Sequence, residues 1–429
     1  MKKLICIMLT VCTLVSLVAC GKNPGATKSD VFEPALDTQT TCNITVAGDY
    51  KNFEALEAEF DKFNDYYPNV KFKYVRLDDY NNTLATALEG NDKPNIFFSY
   101  TWMLGNETYD AVVEHMEDLS DPALKLDLDC IRTGLINRDE KGVVKMVPVF
   151  SRTYGMLVNN DLFKKEGLKV PTTLEELSSV CAAFKSKGYV SPMMGYSAKS
   201  SSCFMYTVAY PMFVATLAKN SQALALANSL DPAAGEYMRP ALNAVDHLLK
   251  NGYIDLAECN KIADNYEKVI MRFFKGDVPM MICAGDTASG TKKRESQSEE
   301  FSASPFAYSF APIPMSEGGG YFIDSPSIEF SVNKDCNDLD MTNEFMRFLV
   351  TDKELNAMAS VKGLVTPTKE LSLDSIYAPF ANISSERTIS PEVLGIKDKL
   401  TVQIRVASYK VGKGEMTIDE AVANYGSFE

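Results

Sequence analysis

Cys42, Ile44 and Val46 alternate with polar Asn43 and Thr45, which predicts a strand, and Gly48-Asp49-Tyr50 ends it. Phe53, Leu56, Phe60 and Phe63 then recur at helical spacing until Pro68 stops the helix. Val70, Phe72 and Tyr74 alternate with Lys71 and Lys73 as a second strand. Leu84, Ala87 and Leu88 mark a second helix closed by Gly90, and Ile96-Phe97-Phe98 reads as a short buried strand. A strand–helix–strand–helix–strand order argues for an α/β lobe with a largely parallel sheet.

The pattern continues with one long extended stretch from Lys145 to Asn159 and a short helix from Asp161 to Gly167. Thr173 with Glu176 three residues on is a capping-box pattern, opening a helix through Lys185 that Gly188 ends. Residues 205–275 are helix-rich, with breaks expected at Pro211, Pro232, Pro240 and Gly252. Val278–Cys283 and Tyr308–Ile313 read as buried strands, and the polar run Thr287–Ser304 as an exposed helix or loop. Ile328, Phe330 and Val332 alternate as a strand, and Phe345, Phe348 and Leu349 share a helix face. Thr351 with Glu354 and Thr417 with Glu420 are two further capping boxes.

Composition bounds the function without naming it. The 429 residues suggest two or three domains, and 46% hydrophobic against 23% charged residues excludes disorder of the whole chain. The 43 Lys+Arg against 57 Asp+Glu give −14 and form no basic stripe, so no nucleic-acid partner is expected. Only His115 and His247 are available for His-based chemistry, and His115, inside Glu114-His115-Met116-Glu117-Asp118, reads as a surface histidine. There is no Gly-x-Ser-x-Gly, no His-Glu-x-x-His and no phosphate loop, and Asp127-Leu128-Asp129 lacks the rest of a calcium loop. No enzyme, cofactor or metal site is expected.

Lys2 and Lys3 followed by the apolar run Leu4–Val18 form a leader too short for a comfortable membrane span. Leu17-Val18-Ala19-Cys20-Gly21 resembles the lipobox of a bacterial lipoprotein signal. That resemblance implies cleavage before Cys20 and lipidation of its thiol; the alternative is an ordinary signal peptide, residues 1–19, with a chance cysteine. Without Lys2 and Lys3 the chain keeps 41 basic against 57 acidic residues, a net charge of −16. Residues 20–41, rich in Asn, Pro, Gly, Ala, Thr, Ser and Asp, read as anchor and flexible tether. No later run of eighteen apolar residues is present, so the body is expected at the extracellular face of the cell membrane, held by its lipid. Of ten cysteines, seven remain past Cys20, an odd number with no pair two residues apart. Neither a zinc site nor a redox pair is indicated, and most are expected to be buried small hydrophobes.

Taken in order, the segments resemble the extracellular solute-binding proteins of ABC importers, in the maltose and multiple-sugar binding family. The resemblance rests on Ile44–Asp49 with Phe53–Phe63, on Val147–Phe150 with Tyr154–Phe163, and on Val170–Leu177. It continues through Phe274–Met281, Phe310–Pro314, Asn343–Leu349 with Thr351–Glu354, and Met416–Ala421. It implies a two-lobed α/β fold of the periplasmic-binding-protein type, each lobe a mixed, mostly parallel sheet flanked by helices, joined by crossover hinge segments. Lobe one is expected over 42–150 with 268–322, and lobe two over 151–267 with 323–429. The implied function is capture of a small solute, a sugar or oligosaccharide, by hinge closure and its delivery to the permease. The implied partners are that solute, the transmembrane permease subunits and the membrane through the anchor, with the chain acting as a monomer.

A sugar site needs flat apolar faces for the C–H side of a ring and planar polar groups for vicinal hydroxyls. Strand C-termini facing a cleft supply both. Asp49 and Tyr50 follow the first strand, with Asp49 matching the family's strand-end acid by position or else capping the Phe53 helix. Tyr100 and Trp102 follow the Phe97-Phe98 strand, and Trp102, the only tryptophan, lies in the cleft or in the core. Arg152 and Tyr154 lie on the crossover, Arg152 bonding hydroxyls or a carboxylate, or pairing with a surface acid. Tyr196 and Tyr206 are second-lobe candidates, Tyr196 equally a strand residue. Asp286 stands in Ala284-Gly285-Asp286-Thr287, where sugar-binding relatives often carry a tryptophan, and Asp324 follows Tyr321-Phe322. The alternatives are a polyamine or peptide-like solute, or a surface sensor or adhesin receptor on the same fold.

Overall fold

The computed structural model describes residues 31–104, 107–195, 204–262, 266–283, 290–292, 294–314, 318–370, 375–380, 383 and 387–429. Residues 34–429 form one unit. The described strands are β1 (Cys42–Gly48), β2 (Val70–Arg76), β3 (Ile96–Ser99), β4 (Val147–Thr153), β5 (Gly155–Asn159), β6 (Met193–Met194), β7 (Met280–Cys283), β8 (Tyr308–Ala311), β9 (Phe322–Val332) and β10 (Thr388–Ile389). They gather in two sheets. The first runs β10-β9-β3-β1-β2, with β4 also on β9; the second runs β6-β7-β5-β8.

The first sheet keeps the parallel centre expected from strand–helix–strand alternation. β1 lies parallel to β2 from Cys42↔Val70 to Gly48↔Arg76, and parallel to β3. The crossover helix Glu54–Asn64 buries Leu56, Phe60 and Phe63. Phe60 stacks on Phe72 of β2 at 4.4 Å and 7°. The second sheet departs from a mostly parallel arrangement: β5 is antiparallel to both β7 and β8, and only β6 with β7 is parallel.

Strand pairing also exchanges two segments between the expected lobes. Residues 268–322 are expected in the first lobe, yet β7 and β8 both pair with β5 in the second sheet. Residues from 323 on are expected in the second, yet β9 pairs through Glu329–Val332 with β3 of the first sheet. Buried strands of this kind are apolar on both faces and carry no signal of which sheet they join.

The expected extended stretch at 145–159 is two strands on different sheets. β4 pairs with β9, β5 with β7 and β8, and only Tyr154 separates them. β9 extends well beyond Ile328–Val332: its first half runs beside Ser151–Thr153 and β10. The β4–β9 ladder shifts register on both sides of Phe150, and Pro326 pairs with Ser151. The bulges and the proline thus interrupt the ladder just before the chain passes from the first sheet to the second. A third segment returns here, with Ser151 bridged to Val365 and Ile131 to Thr368.

The second half carries a large helical core. The helices Phe204–Ala218, Gly235–Lys250 and Asp398–Gly412 bury Met205, Phe213, Leu242, Val245, Ile404 and Ala407 together. Pro211 and Pro240 do not break these helices but sit inside them. A mid-helix proline costs about 3 kcal/mol, which burial of such apolar faces offsets. Pro232, in contrast, opens a short 3₁₀ turn capped by Asp231.

Two of three capping boxes form in full, Thr173 with Glu176 and Thr417 with Glu420. In the third, Thr351 accepts the Glu354 N–H, but the Glu354 carboxylate turns to Lys62 at 2.8 Å across the fold. Cys42, Cys130, Cys181, Cys259 and Cys283 are buried, as expected; Cys336 is half-buried, and Cys203 lies outside the described residues. Burial pushes the Cys181 thiol up to about 12, leaving it an inert hydrophobe. Among the described residues no helix is long and apolar enough to cross a membrane.

Candidate functional site

Parallel neighbours end at the same edge of a sheet. β1 and β3 run parallel, so Asp49, just past β1, and Tyr100, just past β3, are brought together. β4 runs the same way as β3, because both are antiparallel to β9, and it delivers Arg152 and Tyr154 from that edge to the crossover. The site is thus a consequence of strand direction.

The Tyr100 hydroxyl donates to Asp49 Oδ2 at 3.1 Å. Asp49 does not cap the following helix, whose N-cap position is Phe53 with no side-chain bond, so its exposed carboxylate is presented to solvent. Burial first, and then the Asp49 charge, raise the Tyr100 phenol well above its ordinary value, so it remains a donor. Trp102 stands on the 3₁₀ turn Thr101–Met103, 45% exposed, its ring 5.6 Å from that of Tyr100. The only tryptophan is therefore at the surface beside Asp49 and not in the core.

Tyr50 packs edge-on to Phe53 at 5.3 Å and to Phe98 at 5.6 Å, and Lys362 Nζ lies 4.6 Å from its ring centroid. One of its faces is thus taken by a cation, which makes it a wall of the site and not an open platform. Gly48 lies beneath: a Cβ there would meet Phe98 Cζ and Tyr74 Oη, each at 2.6 Å. Only a glycine lets the end of β1 pass between these rings, and Tyr74 uses its hydroxyl to hold the Tyr50 carbonyl at 3.0 Å.

On the crossover, Arg152 is half-buried opposite Ser325. Its positive charge bears on two carboxyls, Glu392 and Glu329. Burial raises the Glu392 carboxyl, with Arg152 and the Ser325 hydroxyl acting against it. Tyr154 packs on the buried Tyr210 at 5.4 Å and 51°.

Asp324 is a correction. It is 1% exposed, and Arg132 occupies both of its oxygens, Nε to Oδ2 at 2.6 Å and Nη2 to Oδ1 at 2.9 Å. The same guanidinium donates to the carbonyls of Thr366 and Thr368, each at 2.7 Å, and to Ser151 Oγ at 2.9 Å. Held by this fork and buried from solvent, Asp324 is a strut of the crossover. Tyr196, Asp286 and Cys20 lie outside the described residues, as does the side chain of Tyr206. His115 is at the surface as expected, its Nδ1 3.0 Å from Asp335 Oδ2.

Sequence reasoning missed Arg132, Glu329 and Glu392. An isolated Arg or Glu has no spacing that marks it, and only the meeting of distant segments reveals what it does. A cavity of about 610 Å³ lies elsewhere on the second half, among Lys165, Glu166, Lys187, Arg272 and Asp277. Its charges pair with one another, Lys187 with Glu166 at 3.0 Å and Arg272 with Asp277, so it offers nothing to a ligand that the strand edge does not offer better.

The family model described as bacterial extracellular solute-binding protein matches residues 58–381, more than half of the chain. Among curated proteins, the melibiose/raffinose/stachyose-binding protein MelE of Bacillus subtilis is 24% identical over 215 residues. That alignment takes in 49% of this chain and 48% of the relative, so the match spans about half of that protein's length. Among solved structures, apo RafE from Streptococcus pneumoniae superposes with a TM-score of 0.69 at 17% identity, covering 90% of this chain and 97% of that one. A sugar transporter from Bacillus licheniformis in complex with stachyose superposes with a TM-score of 0.61 at 18% identity, covering 90% and 98%. At these identities the structural likeness establishes the two-lobed fold.

Proposed function

We propose a function for a chain that belongs to the bacterial extracellular solute-binding protein family: it captures a sugar or oligosaccharide at the strand edge between its two halves and delivers it to the permease of an ABC importer. The observation that carries this reading is the exposed Trp102 beside Tyr100, with the Asp49 carboxylate held at 3.1 Å by the Tyr100 hydroxyl. An aromatic face takes the C–H side of a pyranose, and a carboxylate accepts from adjacent hydroxyls. The names of the relatives, which bind melibiose, raffinose and stachyose, support the same ligand class.

Arg152 and Tyr154 add polar and aromatic groups from the crossover. A solute that touches both halves favours their closed arrangement over the open one, and that difference in affinity is what the permease reads. The bulged β4–β9 ladder around Phe150 and Pro326 supplies the hinge. The protein binds and does not transform its solute, acts as a monomer, and is held at the extracellular face by lipid on Cys20.

The test is a thermal-shift screen of residues 21–429 against oligosaccharides, monosaccharides, amino acids and polyamines. A ligand at 100 times its Kd stabilises the folded chain by about 2.7 kcal/mol. A shift with raffinose or stachyose that Trp102→Ala removes upholds the reading. A shift with polyamines or peptides alone refutes the sugar assignment and leaves the fold in place.

A further inference from the structure

The sugar-binding reading leaves one buried carboxyl unused. Glu329 of β9 is 1% exposed and pairs with Ser99 of β3 on one side and Pro148 of β4 on the other. Its side chain reaches past the end of β3 to Thr101. The Thr101 N–H donates to Oε2 at 2.6 Å, and the Thr101 hydroxyl lies 2.7 Å from each carboxyl oxygen. Thr101 is the first residue of the 3₁₀ turn whose middle residue is Trp102. The strand that passes between the two halves is thus bonded to the residue next to the only tryptophan.

The turn has further holds. The Tyr100 N–H donates to the Tyr109 hydroxyl at 3.1 Å, and the turn closes through Met103 N–H to the Tyr100 carbonyl at 3.0 Å and Leu104 N–H to the Thr101 carbonyl at 3.1 Å. Trp102 is 45% exposed on a short turn, so the direction of its ring depends on what fixes the backbone beneath it. The titratable groups that face Glu329 are Tyr109 from the helix Glu107–Glu114, Arg152 from β4 and Glu392 from the segment after β10. Burial pushes the Glu329 carboxyl up to about 8, with the Thr101 bonds and Arg152 acting against it and Glu392 adding to it. At neutral pH it is mostly the neutral acid, able to donate its proton to the Thr101 hydroxyl while its other oxygen accepts the N–H.

We propose that Glu329 is the positioning residue of the Tyr100–Trp102 platform, fixing through Thr101 the face that Trp102 offers to a sugar ring. The proposal rests on the sugar-binding reading for its ligand, but its first readout needs none, because emission from a single tryptophan reports the platform directly. Residues 21–429 and the variants Glu329→Gln, Glu329→Ala and Thr101→Val are compared by Trp102 emission and acrylamide quenching from pH 6 to 9.5, and by raffinose titration calorimetry at pH 7.

The wild type is expected to show a step in emission centred near pH 8. Glu329→Gln, whose amide can still accept the N–H and donate to the hydroxyl, keeps the pH 7 emission and affinity within about twofold and loses the step. Glu329→Ala raises quenching and weakens raffinose about tenfold or more; Thr101→Val, which removes only the hydroxyl, moves both in the same direction by less. If Glu329→Ala does not fold, the Gln and Val variants decide. An Ala or Val variant that loses thermal stability while emission and quenching stay unchanged overturns the proposal. Emission that responds as expected in a protein that binds no sugar upholds the positioning role and refutes the ligand class.

Discussion

Arg132 holds Asp324 with a two-pronged fork, Nε–Oδ2 at 2.6 Å and Nη2–Oδ1 at 2.9 Å, and the same guanidinium bonds Ser151, Thr366 and Thr368. Three chain segments that pass between the halves therefore meet on one side chain. All five of its N–H donors are used, and the partner carboxylate is 2% exposed. Removing one member of a buried pair costs about 3–5 kcal/mol, because the other charge is left alone. Arg132→Ala is expected to lose that much in urea unfolding at pH 7. Arg132→Lys keeps the charge but not the fork and should lose less than the alanine variant. A loss below about 1 kcal/mol for alanine would mean that the crossover is held by other contacts.

Gly48→Ala tests the floor of the site. The new methyl would stand 2.6 Å from Phe98 Cζ and from the Tyr74 hydroxyl oxygen, and the fully buried Phe98 ring cannot swing aside in a packed core. Overpacking of this kind costs about 1–3 kcal/mol. Because Tyr74 also holds the Tyr50 carbonyl, the displacement should pass to Asp49 and Tyr50 and weaken the solute as well as the fold. Unfolding midpoints and titration calorimetry together check this; a stability loss with unchanged affinity would separate the floor from the site.

Tyr100→Phe removes a single hydroxyl from Asp49. A hydrogen bond of this kind is worth about 0.5–1.5 kcal/mol, which corresponds to an affinity loss of roughly twofold to tenfold. Asp49 is solvent-exposed, so the melting temperature of the free protein should hardly change. Calorimetry with the wild-type ligand gives the answer, and equal affinities would remove Asp49 from the contact surface.

The Glu59–Lys62–Glu354 cluster gives the stability a pH dependence. Lys62 Nζ bonds both carboxylates at 2.8 Å and joins the helix Glu54–Asn64 to the helix Asp352–Lys362. Burial, and after it the Glu354 side chain, raise the Glu59 carboxyl despite Lys62. The folded chain therefore keeps a proton there that the unfolded chain releases once the pH passes the ordinary carboxylate range. That contribution is complete below this range and is lost as pH rises through the raised folded value. Glu354 has the opposite sign: burial would raise it, but its bonds to Lys62, Glu59 and Lys353 hold it below the ordinary range. Its contribution is present at neutral pH and is lost as pH falls through the depressed folded value. Glu59→Gln should therefore gain on the wild type between pH 5 and pH 8 in urea midpoint. Parallel curves for the two proteins would show that Glu59 titrates as an exposed acid.

Local chemistry made part of this legible in the sequence. The alternation at Cys42–Val46 and the helical spacing at Phe53–Phe63 state their own elements, and the capping boxes at Thr173 and Thr417 form as their spacing implies. Asp49, Tyr100 and Trp102 could be placed at one edge because strand C-termini in a parallel sheet share it. What the sequence could not reveal depends on partners far along the chain. Met280–Cys283 reads as a buried strand but carries no mark of the sheet it joins, and it pairs with β5 in the half opposite to the expected one. Asp324 sits after an aromatic strand like a ligand residue, yet Arg132, 192 positions earlier, has already claimed it. Pro211 and Pro240 read as breaks because propensity is local, while the core that overrides it is not.

Asp324 and Glu329 lie on one uninterrupted strand, the first locked to Arg132 and the second to Thr101. That makes the length of the stretch between them, its register shift beside Phe150 included, a fixed spacing. A single residue added or deleted there would turn every following side chain to the opposite face, sending Phe330 out of its stack on Phe98 and Glu329 away from Thr101. A reporter domain spliced into this protein to follow closure therefore belongs in its surface turns, because a graft within Phe322–Val332 would uncouple the two halves and blunt the tryptophan in the same cut.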